Sequence, residues 1–165
     1  MKVFNKFLKN KNGILWSYSN EKNKFTKIQL SPRGTITDIA AIDKNNLVVS
    51  TNNSGFYVYS ILTNQIINFN ISNSPLIQSN NFISVTVDSY GIAWLESAQL
   101  GVFRYRKKDN SLKYFRLAID DVNKVSVLPN FIVVEDIKKR LWINPQGGGF
   151  SLYNRSTDQL EYFYN

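Results

Sequence analysis

Two residue types are missing altogether from this 165-residue chain: it has no cysteine and no histidine. The first absence excludes disulfides, thiolate metal sites and a cysteine nucleophile, while leaving the redox compartment open. The second removes the commonest general base and metal ligand. Long apolar runs are missing as well, since nothing approaches the roughly eighteen consecutive apolar residues that cross a bilayer. The opening stretch, Met1 to Leu8, is interrupted by Asn5 and Lys6 before an apolar signal-peptide core can form, and no export signal is visible. A phosphate-binding loop is also lacking. Gly147-Gly148-Gly149 has neither the Lys-Ser/Thr spacing nor a following helix, so it reads as a strand-joining turn. No segment repeats apolar residues at intervals of three and four over a helical length.

What is present suits a packed β protein. The chain is 43% hydrophobic and 14% aromatic, enough for one ordinary core. Its net charge is +8, yet the lysines and arginines are scattered. The densest runs, Arg104 to Lys108 and Lys138 to Arg140, adjoin acids such as Asp109 and Glu135-Asp136 and fall at expected turns. They read as solvated hairpin tips, and no nucleic-acid partner is expected.

One pattern is written more than once. Asp88, Trp94, Gly101, Tyr105 and Phe115 recur 48 residues later as Asp136, Trp142, Gly149, Tyr153 and Phe163. A fainter copy lies upstream at Asp43, Val48, Gly55, Tyr59 and Phe69, with Val48 at the tryptophan position. Within a copy the apolar residues alternate, as in Ile83, Val85 and Val87, and turn residues separate short runs. Each copy therefore predicts four short antiparallel strands. A meander of about forty-five residues recurring with a fixed glycine and aromatic is the pattern of β-propeller blades, whose two apolar faces are both covered only when blades stack. The predicted fold is all-β, about three full blades plus a degenerate first one, in an incomplete or partner-completed propeller. Approximate blades are 1–34, 35–79, 80–127 and 128–165. Trp94 and Trp142 are expected at the seams between blades, Gly101 and Gly149 at turns with φ > 0, and Asp88 and Asp136 as acceptors for the following turn. Tyr105 and Tyr153 are read as packing.

The segments Val87 to Leu95 and Glu135 to Ile143, each with its later Gly-x-x-x-Tyr and closing Tyr-Phe, resemble the two-component regulator propeller repeat. The resemblance covers about residues 36 to 165. It departs at Val48, and at Lys139 where the other copy has Gly91. That repeat fills sensor regions of hybrid two-component histidine kinases of Bacteroidetes type, so the resemblance implies a non-catalytic, periplasmic sensor segment. It also implies an oligosaccharide ligand and, as partners, the remaining blades or kinase of a larger sensor; the low blade count, which leaves open ends, adds self-association through those ends. No cofactor or metal is expected.

The first residues admit two registers. Asn10 to Trp16 matches the Asp88-to-Trp94 spacing, whereas pairing Tyr18 with Tyr105 and Ile28 with Phe115 makes Gly13–Tyr18 a third strand. If a ligand binds, the loops joining second to third strands and those joining blades are where to look. These hold Asn52, Asn53, Glu96, Gln99, Asn144 and Gln146, whose amides and carboxylate suit sugar hydroxyls, with Asn80, Asn81 and Asn123 in the inter-blade loops. Adjacent acids such as Asp120-Asp121 point to opposite faces of a strand, which does not support glycosidase chemistry. A protein-interaction scaffold and a propeller lyase or hydrolase are the alternatives.

Overall fold

The computed structural model describes residues 6–9, 12–30, 34–98, 101–116, 131–145 and 149–163. Their regular structure is entirely β. Strands β1 (Lys6–Lys9), β2 (Ile14–Ser19) and β3 (Lys24–Gln29) make a first, three-stranded sheet. Strands β4 (Thr35–Ala41), β5 (Asn46–Asn52), β6 (Phe56–Ser60) and β7 (Ile66–Phe69) make the second. The third comprises β8 (Phe82–Val87), β9 (Ile92–Ser97), β10 (Gly101–Arg106) and β11 (Ser111–Phe115). The fourth comprises β12 (Phe131–Glu135), β13 (Leu141–Pro145), β14 (Phe150–Asn154) and β15 (Gln159–Phe163). Every sheet is an antiparallel meander in chain order, so each is a propeller blade.

Alternation along the strands explains the stacking. Neighbouring residues point to opposite faces, so a strand apolar at every position must be covered twice. In β10, Phe103 and Tyr105 join a cluster with Phe56, Val58 and Phe82, which is the seam between second and third sheets. Val102 looks the other way, into a cluster with Trp94, Phe115, Phe131, Leu141 and Tyr153, the seam between third and fourth. Leu15, Leu47, Val49, Tyr57 and Tyr59 fill the seam between first and second. Trp94 is 1% exposed there, wedged where the repeat predicts it, with its ring 4.7 Å from that of Tyr153.

Two recurrent devices close the hairpins, one at the first-to-second turns and one at the third-to-fourth turns. The Asp88 carboxylate accepts from the backbone N–H of Tyr90 and Ile92 and from the Trp94 indole N–H. Asp136 repeats this with Lys138, Arg140 and Trp142. In the second sheet, where Val48 has no indole, the Asn46 amide donates to Asp43 instead. The second device was not foreseen from the sequence. The phenols of Tyr18, Tyr59, Tyr105 and Tyr153 donate to Asn23, Asn64, Asn110 and Asp158, each five residues on. All four acceptors hold positive φ, between 46° and 58°. Asn and Asp tolerate that region better than most side chains.

This tie decides the first blade. Tyr18 stands with Tyr105, so β2 is a third strand, β3 a fourth, and β1 pairs as the second strand does. Gly101, at φ 135°, has no room for a side chain, because a Cβ there would lie 2.4 Å from the Phe115 carbonyl oxygen. Lys139 takes the turn position of Gly91 with φ 61° against 72°, so the lost glycine leaves the turn conformation intact.

Candidate ligand-binding face

The meander sends first-to-second and third-to-fourth turns to one edge of the stack, and second-to-third turns and inter-sheet loops to the other. The first edge is densely charged, and the second, which bears Arg116, includes a neutral stretch. The first carries Lys22, Lys24, Lys44, Lys107, Lys108, Lys138, Lys139, Arg140 and Arg155, together with acids such as Asp43, Asp109 and Asp136. The second holds Asn52, Asn53, Ser54 and the 70–81 segment, amides and hydroxyls interspersed with Pro75, Leu76 and Ile71. No charged residue lies in these two stretches.

On this neutral stretch, Asn52 and Asn53 are exposed at the β5–β6 turn, Asn53 with φ 74°. The Asn53 N–H donates to the Asn81 side chain at 2.9 Å, and the Asn80 side chain accepts from the Ile71 N–H at 3.0 Å. Asn68, Asn70 and Asn73, which the sequence reading did not single out, continue the lattice. Asn68 donates to the carbonyls of Ser54 and Phe56, the Asn73 amide caps the Asn70 N–H, and Asn70 accepts from Ser72. These bonds hold a loop without regular structure in one shape, which is what preorganised recognition requires. The exposed rims of Ile71 and Leu76, at 53% and 43%, add apolar contact surface.

Glu96 behaves differently from a loop residue. It lies inside β9, paired with Val102 and Ser84, because the ladder runs on to Ser97. Its side chain is 5% exposed and points inward: one oxygen accepts from the Ser84 hydroxyl at 2.7 Å, the other from the Phe131 N–H. Asp38 does the same one seam earlier, accepting from the Val85 N–H at 3.2 Å. In the second and third sheets a carboxylate thus fastens the first strand of the next sheet. Asn144 lies on β13 opposite Ile132. Gln99, Gln146 and Asn123, like the Asp120-Asp121 pair, fall outside the described residues.

The charged edge carries the strongest electrostatics. Arg155 reaches across the third seam to Asp88 at 2.8 Å and back to Glu135 of its own sheet at 3.1 Å, and its guanidinium lies 4.2 Å from the Tyr90 ring centre. Burial alone would raise the Asp136 carboxyl, but the bonds from Trp142, Arg140 and Lys138 prevail and hold it well below the usual carboxylate range. Asp158 is likewise lowered: burial is outweighed by the Tyr153 bond and the charges of Arg104 and Lys113.

No family model matches the chain, and no curated protein does. Among solved structures, the extracellular domain assigned to the hybrid two-component system BT3049 of B. thetaiotaomicron is similar over 97% of this chain and 22% of its own, with a TM-score of 0.67 and 19% identity. The extracellular domain assigned to the one-component system BT4673 of the same organism matches 99% of this chain and 28% of its own, at TM-score 0.50 and 17% identity. A computationally designed protein, Ika8, matches over 99% of this chain and 47% of its own, at TM-score 0.67 and 15% identity. The chain spans less than a third of the length of either bacterial domain. What it shares with all three is the arrangement of stacked four-stranded meanders.

Proposed function

We propose that this chain is a non-catalytic sensor segment of a signalling protein, working outside the cytoplasm and binding a neutral oligosaccharide at the amide-lined edge of its blades. The observation that carries the reading is a neutral stretch on that edge. The 52–54 turn and the 70–81 segment offer amides, hydroxyls and short apolar rims with no charged side chain, while the opposite edge is rich in lysine and arginine. A surface of that kind exchanges hydrogen bonds with sugar hydroxyls and stacks apolar patches on sugar faces. Two of the structural neighbours are extracellular domains assigned to one- and two-component systems, which supports the sensor part of the reading. In a longer protein of that kind, further blades and a kinase are the partners, and the segment's task is to change shape or packing on binding.

The test is a panel of neutral oligosaccharides followed by amide chemical shifts. Shifts confined to residues 52–54 and 70–81 are expected, with affinity falling at least about tenfold, or 1.4 kcal/mol, in the double variant Asn52→Ala, Asn53→Gly. Unchanged affinity in that variant, shifts confined to the basic edge, or cleavage of the sugar would each reject the proposal.

A further inference from the structure

We propose that the face of the fourth sheet left uncovered by the described residues is a docking surface for the corresponding outer face of the first sheet of a second copy of this chain, joined head to tail. The inference concerns a different surface from the ligand edge and stands independently of it. Its starting point is the third seam, which shows how this repeat covers itself. Trp94, Val102 and Phe115, 1%, 0% and 7% exposed, are buried by a sheet that presents Tyr153 and Leu160. The same positions in the fourth sheet are Trp142, Phe150 and Phe163. There the rings gather with centres 5.7 and 5.8 Å apart and lie open, Phe150 at 49% and Phe163 at 43%. Ile132 and Val134, on the same face by strand register, are 59% and 50% exposed. An apolar face of this kind on a folded domain marks a contact surface.

The complement is at the other end of the chain. Leu15 turns toward the second sheet, so Trp16 and Tyr18 face away from it. Tyr18 stands where Tyr153 stands, tied to Asn23 as Tyr153 is to Asp158. Phe25 takes the place of Leu160 and is 52% exposed, its ring 4.8 Å from that of Tyr18.

Charge selects this pairing. Across the third seam, Arg104 and Lys113 meet Asp158 at 3.1 and 3.4 Å. In the fourth sheet the positions of Arg104 and Lys113 are Leu152 and Glu161, and in the first sheet that of Asp158 is Asn23, preceded by Lys22, while Lys27 shares the face of Phe25 by strand register. Both sides have changed together: cations against an acid have become an acid against lysines. A second position agrees. Asp88 takes its cation from the next sheet, through Arg155, whereas Asp136 takes one from its own turn, Arg140 at 2.7 Å. The first sheet correspondingly has neutral Asn20 at the Arg155 position. A heterologous contact of this sort leads to a closed ring or a chain of copies.

Sedimentation of the full chain over a range of concentrations tests the proposal. Association is expected, and it should vanish in Phe150→Lys and separately in Phe25→Lys, with circular dichroism unchanged. Mixing those two variants should restore one interface and give a dimer and nothing larger. The exposed swap Glu161→Lys should weaken association about tenfold, and Lys22→Glu in the partner should recover it. A wild-type chain that stays monomeric, association that survives both face variants, or a mixture that stays monomeric overturns the proposal. So would identical behaviour of Glu161→Lys and wild type.

Discussion

The third and fourth sheets follow the same sequence pattern, yet one is covered on both faces and the other on one. Trp94 and Trp142 make the same bond to an aspartate, at 3.0 and 3.1 Å, and differ only in what lies above the ring. The Asp-to-indole bond is therefore a property of the single sheet, and burial is a property of the stack. Apolar content alone did not determine which faces are buried: Val102 is fully enclosed, while Phe150, larger and at the same position, is half exposed.

The largest expected effect comes from the two tryptophans. Trp94→Ala empties a closed seam and should cost about 3–5 kcal/mol, whereas Trp142→Ala, measured in the same urea titrations, should cost less than about half as much. Equal losses would mean that the indole acts through its aspartate and not through the seam. Next come the arginines. Arg155→Met strips its cation from Asp88, whose side chain is fully buried, and should cost about 3 kcal/mol. Arg140→Met removes a half-exposed partner and should cost at most about 1 kcal/mol by the same titration. The smallest effect is common to both sheets. Tyr105→Phe and Tyr153→Phe each delete one bond within a turn, about 1 kcal/mol.

Those phenols also carry a pH signature. Burial, then the nearby Asp109, pushes Tyr105 up to about 12, and burial, then the bond and charge of Asp158, does the same for Tyr153. A folded value above the ordinary 10.0 means stabilisation complete below pH 10 and lost as pH climbs through about 12. Ultraviolet titration should show two phenols ionising near the top of that range, and one fewer in each phenylalanine variant.

Much of this was legible in the sequence because it is local. Asp88 and Asp136 end a strand and meet a turn, and Gly101 and Gly149 open one, so the residue type alone indicates the conformation. The Tyr-to-Asn/Asp tie was equally local, since the spacing of five recurs at Tyr18, Tyr59, Tyr105 and Tyr153, but the acceptors look like ordinary turn residues. It is the signal that would have fixed the register of the first sheet. Contacts between sheets were not legible. Glu96 meets the Phe131 N–H 35 residues away, and Arg155 meets Asp88 at a separation of 67. Such partners depend on how one sheet sits on the next, and strand periodicity carries no information about that. The amide lattice of Asn68, Asn70 and Asn73 was hidden for a related reason: asparagines in a loop look alike until the loop's path is known.

The tyrosine tie has a consequence for how such a molecule grows. Because donor and acceptor sit five residues apart and the bond closes within one hairpin, a duplicated segment brings its own fastening with it and asks nothing of its neighbours. Lengthening or shortening the array by one unit then leaves every remaining hairpin intact, and selection has only the contacts between units left to adjust.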